Sequence, residues 1–226
     1  MLGRARSREQ WLKMRTLGIG GSDAAAVLGE SRFATPHDVW LKKLGLAKPE
    51  PSKPIMRLGN LLEDAILDRQ FLGAALPGDQ LGTLQSIEHP ELVANVDGVL
   101  EDGTLVEIKT SSAAAWAWRK GVPDYYHAQV QHYLLVTGLA RAVVVRAAVQ
   151  VERDAVCLLI EEAGARPERV VERLCEITTY EVERDPEWMA RYLPVAREFW
   201  RRVKAREWPR EAATGGANAL AEEVGF

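Results

Sequence analysis

Residues 95–110 read NVDGVLEDGTLVEIKT, two apolar, alternating flanks that meet at Glu101-Asp102-Gly103. Alternation of this kind marks a pair of half-buried strands, and the acidic-glycine step marks the turn between them. The turn is either a two-residue Asp102-Gly103 loop or a three-residue loop in which Gly103 takes the left-handed conformation. Register decides the matter, because residues directly opposite in an antiparallel pair share a face. The three-residue loop pairs Val99 with Leu105, Asp97 with Glu107 and Asn95 with Lys109. Asp97, Glu107 and Lys109 then project from one face, while Val96, Leu100, Val106 and Ile108 fill the other. A two-residue loop would separate Asp97 from Glu107 and bury a carboxylate. The three-residue loop is the expectation.

Two carboxylates directly opposite each other repel and destabilise a bare sheet. The pairing makes sense when a divalent cation sits between them. Mg²⁺ takes oxygen ligands at roughly 2.0–2.1 Å, commonly one or two carboxylates with waters and phosphate oxygens. Lys109 lands on the same face as Glu107 and is placed to orient or deprotonate a water. A solvated hairpin face can also carry such residues by chance, so the tripeptide alone is weak.

Four blocks, in order, strengthen it: WLKMRTLGIGGSD, GNLLEDAI, VDGVLEDGTLVEIKTS and YHAQVQHYLLVTG. Together they resemble the PD-(D/E)XK nuclease superfamily, and more closely its YqaJ-like viral recombinase and lambda-exonuclease group. The resemblance runs from about Trp11 to Thr137, with a weaker tail to about Arg206. Val96 stands where many relatives have proline, a position that shapes the strand and supplies no ligand. The resemblance implies an α/β restriction-endonuclease-like core, a central mixed sheet of about five strands flanked by helices. It implies a Mg²⁺-dependent deoxyribonuclease, with Mn²⁺ substituting. Such an enzyme degrades duplex DNA ends 5′ to 3′ and leaves 3′ overhangs for recombination by strand annealing. Double-stranded DNA ends are the implied partner, with a single-strand annealing protein and a homo-oligomer as further ones. A structure-specific endonuclease on the same core and a non-catalytic DNA-end-binding module are the alternatives.

Composition agrees. A chain of 226 residues with 47% hydrophobic content is enough for one nuclease domain, assigned to residues 1–210, with 211–226 as a flexible tail. The formal net charge of -3 argues against nonspecific coating of nucleic acid, yet leaves room for a local basic groove. Cys157 and Cys175 lie in apolar segments and read as reduced core thiols. Two cysteines are too few for the four-cysteine iron–sulfur relatives of the superfamily. No signal peptide or membrane-length apolar run is visible, so a cytoplasmic setting in a bacterium or phage-infected cell is expected.

Ser7 opens a helix to about Leu17, Ser22 a second to about Gly29, and Thr35-Pro36 a third to Gly45. Three prolines between Ala47 and Pro54 mark a loop. A long helix follows over about 54–72, then strands near 81–87, 92–100 and 104–110. Helices are expected over about 112–120 and 123–137, a strand over 141–151, and further sheet at 154–162. A helix over 167–177, an edge strand at 178–184 and a final helix at 186–207 complete the pattern.

On the resemblance, Asp97, Glu107 and the carbonyl of Ile108 hold the metal, and Lys109 activates or positions water. Glu63 reaches the metal site from the long helix; Asp64 is its competitor. Gln129 and Tyr133, spaced i, i+4, share a helix face. The resemblance puts both beside the metal, where Gln129 contacts the phosphate or orients the lysine. Asn95, with Gln129 and Tyr133, belongs to the expected DNA-contacting set. Arg15 and Ser22 flank the Gly18-Ile19-Gly20-Gly21 turn, where glycines and a fresh helix N-terminus favour an anion. The resemblance makes them the 5′-phosphate pocket, with Ser22 also capping its helix. Trp116 and Trp118 are read as base-stacking or packing indoles, His132 as a packing or surface histidine.

Overall fold

The structure is a computed structural model that describes residues 14, 16–48, 51–151 and 155–208. The expected helix over residues 7–17 and the expected tail over 211–226 lie almost wholly outside the described residues.

The hairpin forms with the expected turn. Leu100 donates its N–H to the Thr104 carbonyl at 2.9 Å across Glu101, Asp102 and Gly103, and Gly103 has φ 80°. Gly98 faces Val106 and Val99 faces Leu105, so the three-residue register holds. The strand before the turn is shorter than expected. It comprises β3 (Val93–Ala94) and β4 (Gly98–Leu100), with Asn95–Asp97 as an interruption between them. Val96 therefore packs on the side of the sheet opposite to Val106 and Ile108, contrary to unbroken alternation.

Five strands make the central sheet, in the order β1 (Ala75–Pro77), β4, β5 (Leu105–Ser112), β6 (Arg141–Val149), β7 (Cys175–Glu183). Only the β5–β6 pairing is parallel. Such a pairing needs a crossover, and α5 (Asp124–Thr137) supplies it. Upstream lie α1 (Ala24–Val27), α2 (Pro36–Lys43), α3 (Pro54–Phe71) and the short α4 (Gly78–Leu81). β2 (Leu84–Gln85) pairs with β3 as a separate small sheet. The segment read as one strand near 81–87 is thus not part of the central sheet.

Two further corrections have simple causes. Residues 154–162 do not extend the sheet: α6 (Val156–Ala165) buries Val156, Leu159 and Ala163, a helical spacing, and leaves Leu158 72% exposed. The same geometry turns Cys157 outward, so only Cys175 is a core thiol. Likewise the helix expected over 112–120 shrinks to a single 3₁₀ turn, Trp116–Trp118. β5 continues through Ser111 and Ser112 because both remain paired with β6, and Arg146 donates to Ser111 Oγ at 3.0 Å. These serines are strand residues, not part of a helix.

Side chains alternate between two cores. Leu105, Ala142, Val144 and Val182 meet α1, α5 and α8 (Pro186–Ala205) on one face. Val106, Ile108, Val145, Ala147 and Val149 meet α3, α6 and α7 (Pro167–Leu174) on the other. The sheet is therefore covered by helices on both sides, the flanked mixed sheet expected from the sequence. No helix among the described residues is long and apolar enough to cross a membrane.

His132 shows how the first core satisfies its polar groups. It is fully buried, 3.0 Å from the Val93 carbonyl through Nε2 and 2.9 Å from the Tyr192 hydroxyl through Nδ1. A carbonyl only accepts, so Nε2 carries the proton, and neutral Nδ1 accepts from Tyr192. Burial pushes its pKa down to about 4, against an opposing pull from the Val93 carbonyl and Asp23. The unfolded chain takes up this proton near pH 6.5, so stability is full above that value and falls between pH 6.5 and 4. The expected loss from this group is about 3 kcal/mol. Urea midpoints of wild type and His132→Gln, measured across that range, should diverge; parallel curves would exclude His132 as the source.

Candidate metal and DNA site

The site forms where the hairpin strand is interrupted. Asp97 is the last residue before β4 begins, and its Oδ2 accepts the Ile108 N–H at 2.6 Å. This brings Asp97 beside Glu107, which points into the face of the sheet covered by α5 and is only 1% exposed. Glu107 Oε1 accepts from Lys109 Nζ and, at 2.7 Å, from Gln129 Nε2. Gln129 Nε2 also lies 3.0 Å from the Tyr133 hydroxyl. Hence the i, i+4 pair on α5 grips the carboxylate from above.

Glu63 approaches from α3. One turn earlier, Gly59 packs against Thr110 of β5, where an added Cβ would make an ordinary contact at 3.4 Å. Glu63 is half-buried whereas Asp64 is exposed, and only Glu63 faces Asp97, Glu107 and Lys109 electrostatically. The competitor is set aside on that ground.

These three acids crowd one another in a desolvated place. Burial, then repulsion from Asp97, pushes Glu63 up to about 8 and Glu107 up to about 8, with Lys109 pulling the other way. Asp97 is raised by burial, opposed by Lys109 and by the Ile108 amide. Lys109 is held above its ordinary value: burial would lower it, but Glu107 and Asp97 outweigh that. One ammonium does not neutralise all three acids in their charged form, so the site takes up either protons or a further cation.

Glu107 Oε2 supplies the second sign. It is buried with no hydrogen-bond partner among the described residues, a costly state for a carboxylate oxygen. Among the described residues no three His, Cys, Asp or Glu side chains converge closely enough to hold an ion alone. Two carboxylates with waters and phosphate oxygens suit Mg²⁺, and the donor set fits that ion better than a closed Zn²⁺ cage.

The comparisons with known proteins follow the same blocks. The model of the YqaJ-like viral recombinase domain matches residues 10–140, which include every residue of the site. The chain belongs to that family. The uncharacterized protein YqaJ of Bacillus subtilis (strain 168) is 38% identical over 141 residues, 58% of this chain. That match spans 43% of the relative's own length, so this chain corresponds to less than half of it. Among solved structures, the alkaline exonuclease LHK-Exo from Laribacter hongkongensis superposes with a TM-score of 0.63 at 18% identity, covering 88% of this chain and 93% of that one. A phage-related exonuclease from Haemophilus somnus 129PT gives 0.54 at 13% identity, over 87% and 99% of the two chains. At such identities the likeness is one of fold.

In this YqaJ-like domain the glycine turn is braced against the acidic cluster. A Cβ on Gly21 would lie 2.3 Å from Tyr133 Cε1, so only glycine admits the ring whose hydroxyl meets Gln129. Gly21→Ala should force that ring aside, destabilising the fold by about 1–3 kcal/mol and loosening Gln129 from Glu107. Gly21→Ala combined with Tyr133→Leu should recover most of the stability in urea melts; simple additivity would mean the clash lies elsewhere.

The expected phosphate pocket is assembled differently from the sequence pattern. Ser22 does not cap a helix: it is exposed within a 3₁₀ turn, Gly21–Asp23, whose N-cap is Gly20. Gly20 N–H is already donated to Asp23 Oδ2 at 3.0 Å, and that carboxylate pairs with Lys43 at 2.6 Å. Ile19 N–H goes to the Glu91 carbonyl at 2.7 Å, which pins the turn to β3. Two backbone amides assigned to an anion are therefore committed elsewhere. Arg15 lies outside the described residues. Asn95 also sits apart from Lys109, because the ladder stops at Gly98; its Oδ1 accepts from Thr83 Oγ1 at 2.8 Å.

One residue beside the site escaped sequence reasoning. Lys109 Nζ stands 5.0 Å from the centre of the Tyr126 ring. Tyr126, Gln129 and Tyr133 are spaced i, i+3, i+7, so the face that carries Gln129 already pointed to it. Trp118 is buried, packed on Tyr126 and Tyr180, which settles it as a core indole.

Proposed function

We propose that this domain is a Mg²⁺-dependent exodeoxyribonuclease that acts on the ends of duplex DNA. The observation that carries this reading is the buried Glu107 oxygen, without a hydrogen-bond partner among the described residues, beside Asp97 and Lys109 at an interrupted strand. Asp97, Glu107 and the Ile108 carbonyl would hold the ion, with Glu63 contributing from α3. When bound, Mg²⁺ polarises a phosphoryl oxygen and lowers the pKa of a coordinated water.

The chain's own residues do the rest. Lys109 remains protonated between two carboxylates, so it meets the attacking water as an ammonium that orients it and steadies developing negative charge. Gln129 fixes the Glu107 carboxylate through Oε1, so Oε2 would be the oxygen offered to the ion. Tyr133 fixes Gln129 in turn. On the resemblance, Arg15 and Ser22 would grip a terminal 5′-phosphate.

Within this reading the strand is hydrolysed 5′ to 3′, leaving a 3′ overhang suited to a single-strand annealing protein. Family membership supports a role in phage-type recombination. End recognition is tested by comparing phosphorylated with hydroxyl 5′ ends. Wild type should prefer phosphate, and Arg15→Ala should erase the preference, a charge-assisted contact being worth ~1.5–3 kcal/mol, or roughly ten- to a hundredfold. Equal cutting of both ends by wild type would remove Arg15 and Ser22 from end recognition.

A further inference from the structure

Aromatic rings continue outward from Lys109 to the surface without a gap. Tyr126, under the ammonium, meets Tyr125 with ring centres 4.5 Å apart, and Tyr125 meets the edge of Phe33 at 5.0 Å. The guanidinium of Arg32 then lies 5.4 Å from the Phe33 ring and 5.2 Å from that of Trp116. Phe33 and Trp116 are each 53% exposed. Trp116 thus differs from Trp118, which the core absorbs.

Two half-exposed rings bracketing a cation have little use in stabilising the fold, since a large part of their apolar surface faces water. They do have the composition of a platform for unpaired bases. Every base offers a π-face to an aromatic ring whatever the sequence, and arginine adds stacking and attraction to phosphate. Paired bases keep their faces inside the duplex and cannot use it. The platform is joined through two tyrosines to the lysine of the proposed metal site, where a strand would be cut.

The geometry points to Arg32, Phe33 and Trp116 as a binding site for unpaired bases of single-stranded DNA, the strand left uncut when its partner is hydrolysed. This rests on the nuclease reading for the origin of that strand, but not for its recognition.

The test is equilibrium binding in EDTA, where no hydrolysis intervenes. Fluorescein-labelled blunt duplex and the same duplex with a 3′ oligothymidine overhang are titrated with the whole chain, and anisotropy is read. Wild type should bind the overhang substrate more tightly and show quenched tryptophan emission on binding it. Trp116→Ala and Phe33→Ala should each weaken overhang binding by roughly ten- to a hundredfold, the range expected for losing one stacked base, while blunt-duplex affinity stays as in wild type. Trp116→Phe should retain most of the affinity. Overhang binding that is unchanged, or that falls by the same factor as blunt binding, overturns the assignment and leaves the rings as a face for a protein partner. Digestion of linear duplex in Mg²⁺ by the same wild-type preparation separates the two ideas. Absent digestion refutes the nuclease reading, whereas the overhang titration alone judges the platform.

Discussion

Asp97→Ala is expected to yield a folded protein that no longer cuts DNA and no longer responds to Mg²⁺. Asp97 is half-buried, bonded to one amide and set against two other acids. Its removal relieves repulsion while deleting a ligand, so loss of activity comes without loss of fold. Glu107→Ala should behave likewise in activity. A second readout does not depend on turnover. A ligand that binds only the native state raises stability in proportion to the logarithm of its concentration, so Mg²⁺ should raise the melting temperature of wild type but not of either variant. The pH dependence has a defined sign. Glu107 has a folded pKa of about 8, above its ordinary value of 4.5. Its contribution is therefore present below pH 4.5 and is lost as pH rises towards 8. Glu107→Gln should consequently stabilise the metal-free protein most at alkaline pH. Full activity in purified Asp97→Ala or Glu107→Ala would sink the metal assignment.

The second large effect belongs to Lys109. Lys109→Ala should lower the rate at saturating DNA by roughly 10²–10³-fold, the range typical of removing one donor that steadies developing negative charge. Metal binding should survive, because Lys109 donates no ligand. Its removal leaves Glu107 Oε1 with Gln129 alone, and the acids should hold a cation at least as well. A defect confined to DNA affinity, with turnover intact once DNA saturates, would reassign Lys109 from the chemical step to substrate binding.

What the sequence made legible was whatever depended on period and turn chemistry. The Gly103 turn fixed the register of Val99 against Leu105, whereas Asp97, expected to pair with Glu107 in the ladder, lies just outside it and is held by the Ile108 amide instead. The i, i+4 spacing likewise placed Gln129 and Tyr133 on one helix face, where they share a hydrogen bond. Interruptions were not legible. Nothing in NVDG announces that pairing stops at Gly98, and so the Asn95–Lys109 pair was expected and is not made. Apolar runs such as VCLLI were ambiguous between strand and helix, and burial of every third or fourth residue resolved it. Long-range polar partners were hidden as well. Lys43 against Asp23, and Gln131 with the Glu183 carbonyl and the Asp185 amide, join segments that periodicity cannot relate. Such partners let Gln131 and His132 be fully buried.

The central claim, that the cluster around Glu107 cuts DNA from its ends with Mg²⁺, is tested most directly by digesting one linear duplex labelled separately at each 5′ and 3′ terminus, beside a closed circle of the same sequence. The account predicts early release of label from 5′ termini, late release from 3′ termini, an untouched circle, and no reaction in EDTA. Cutting of the circle at a rate like that of the linear duplex, or equal digestion with and without Mg²⁺, would contradict it.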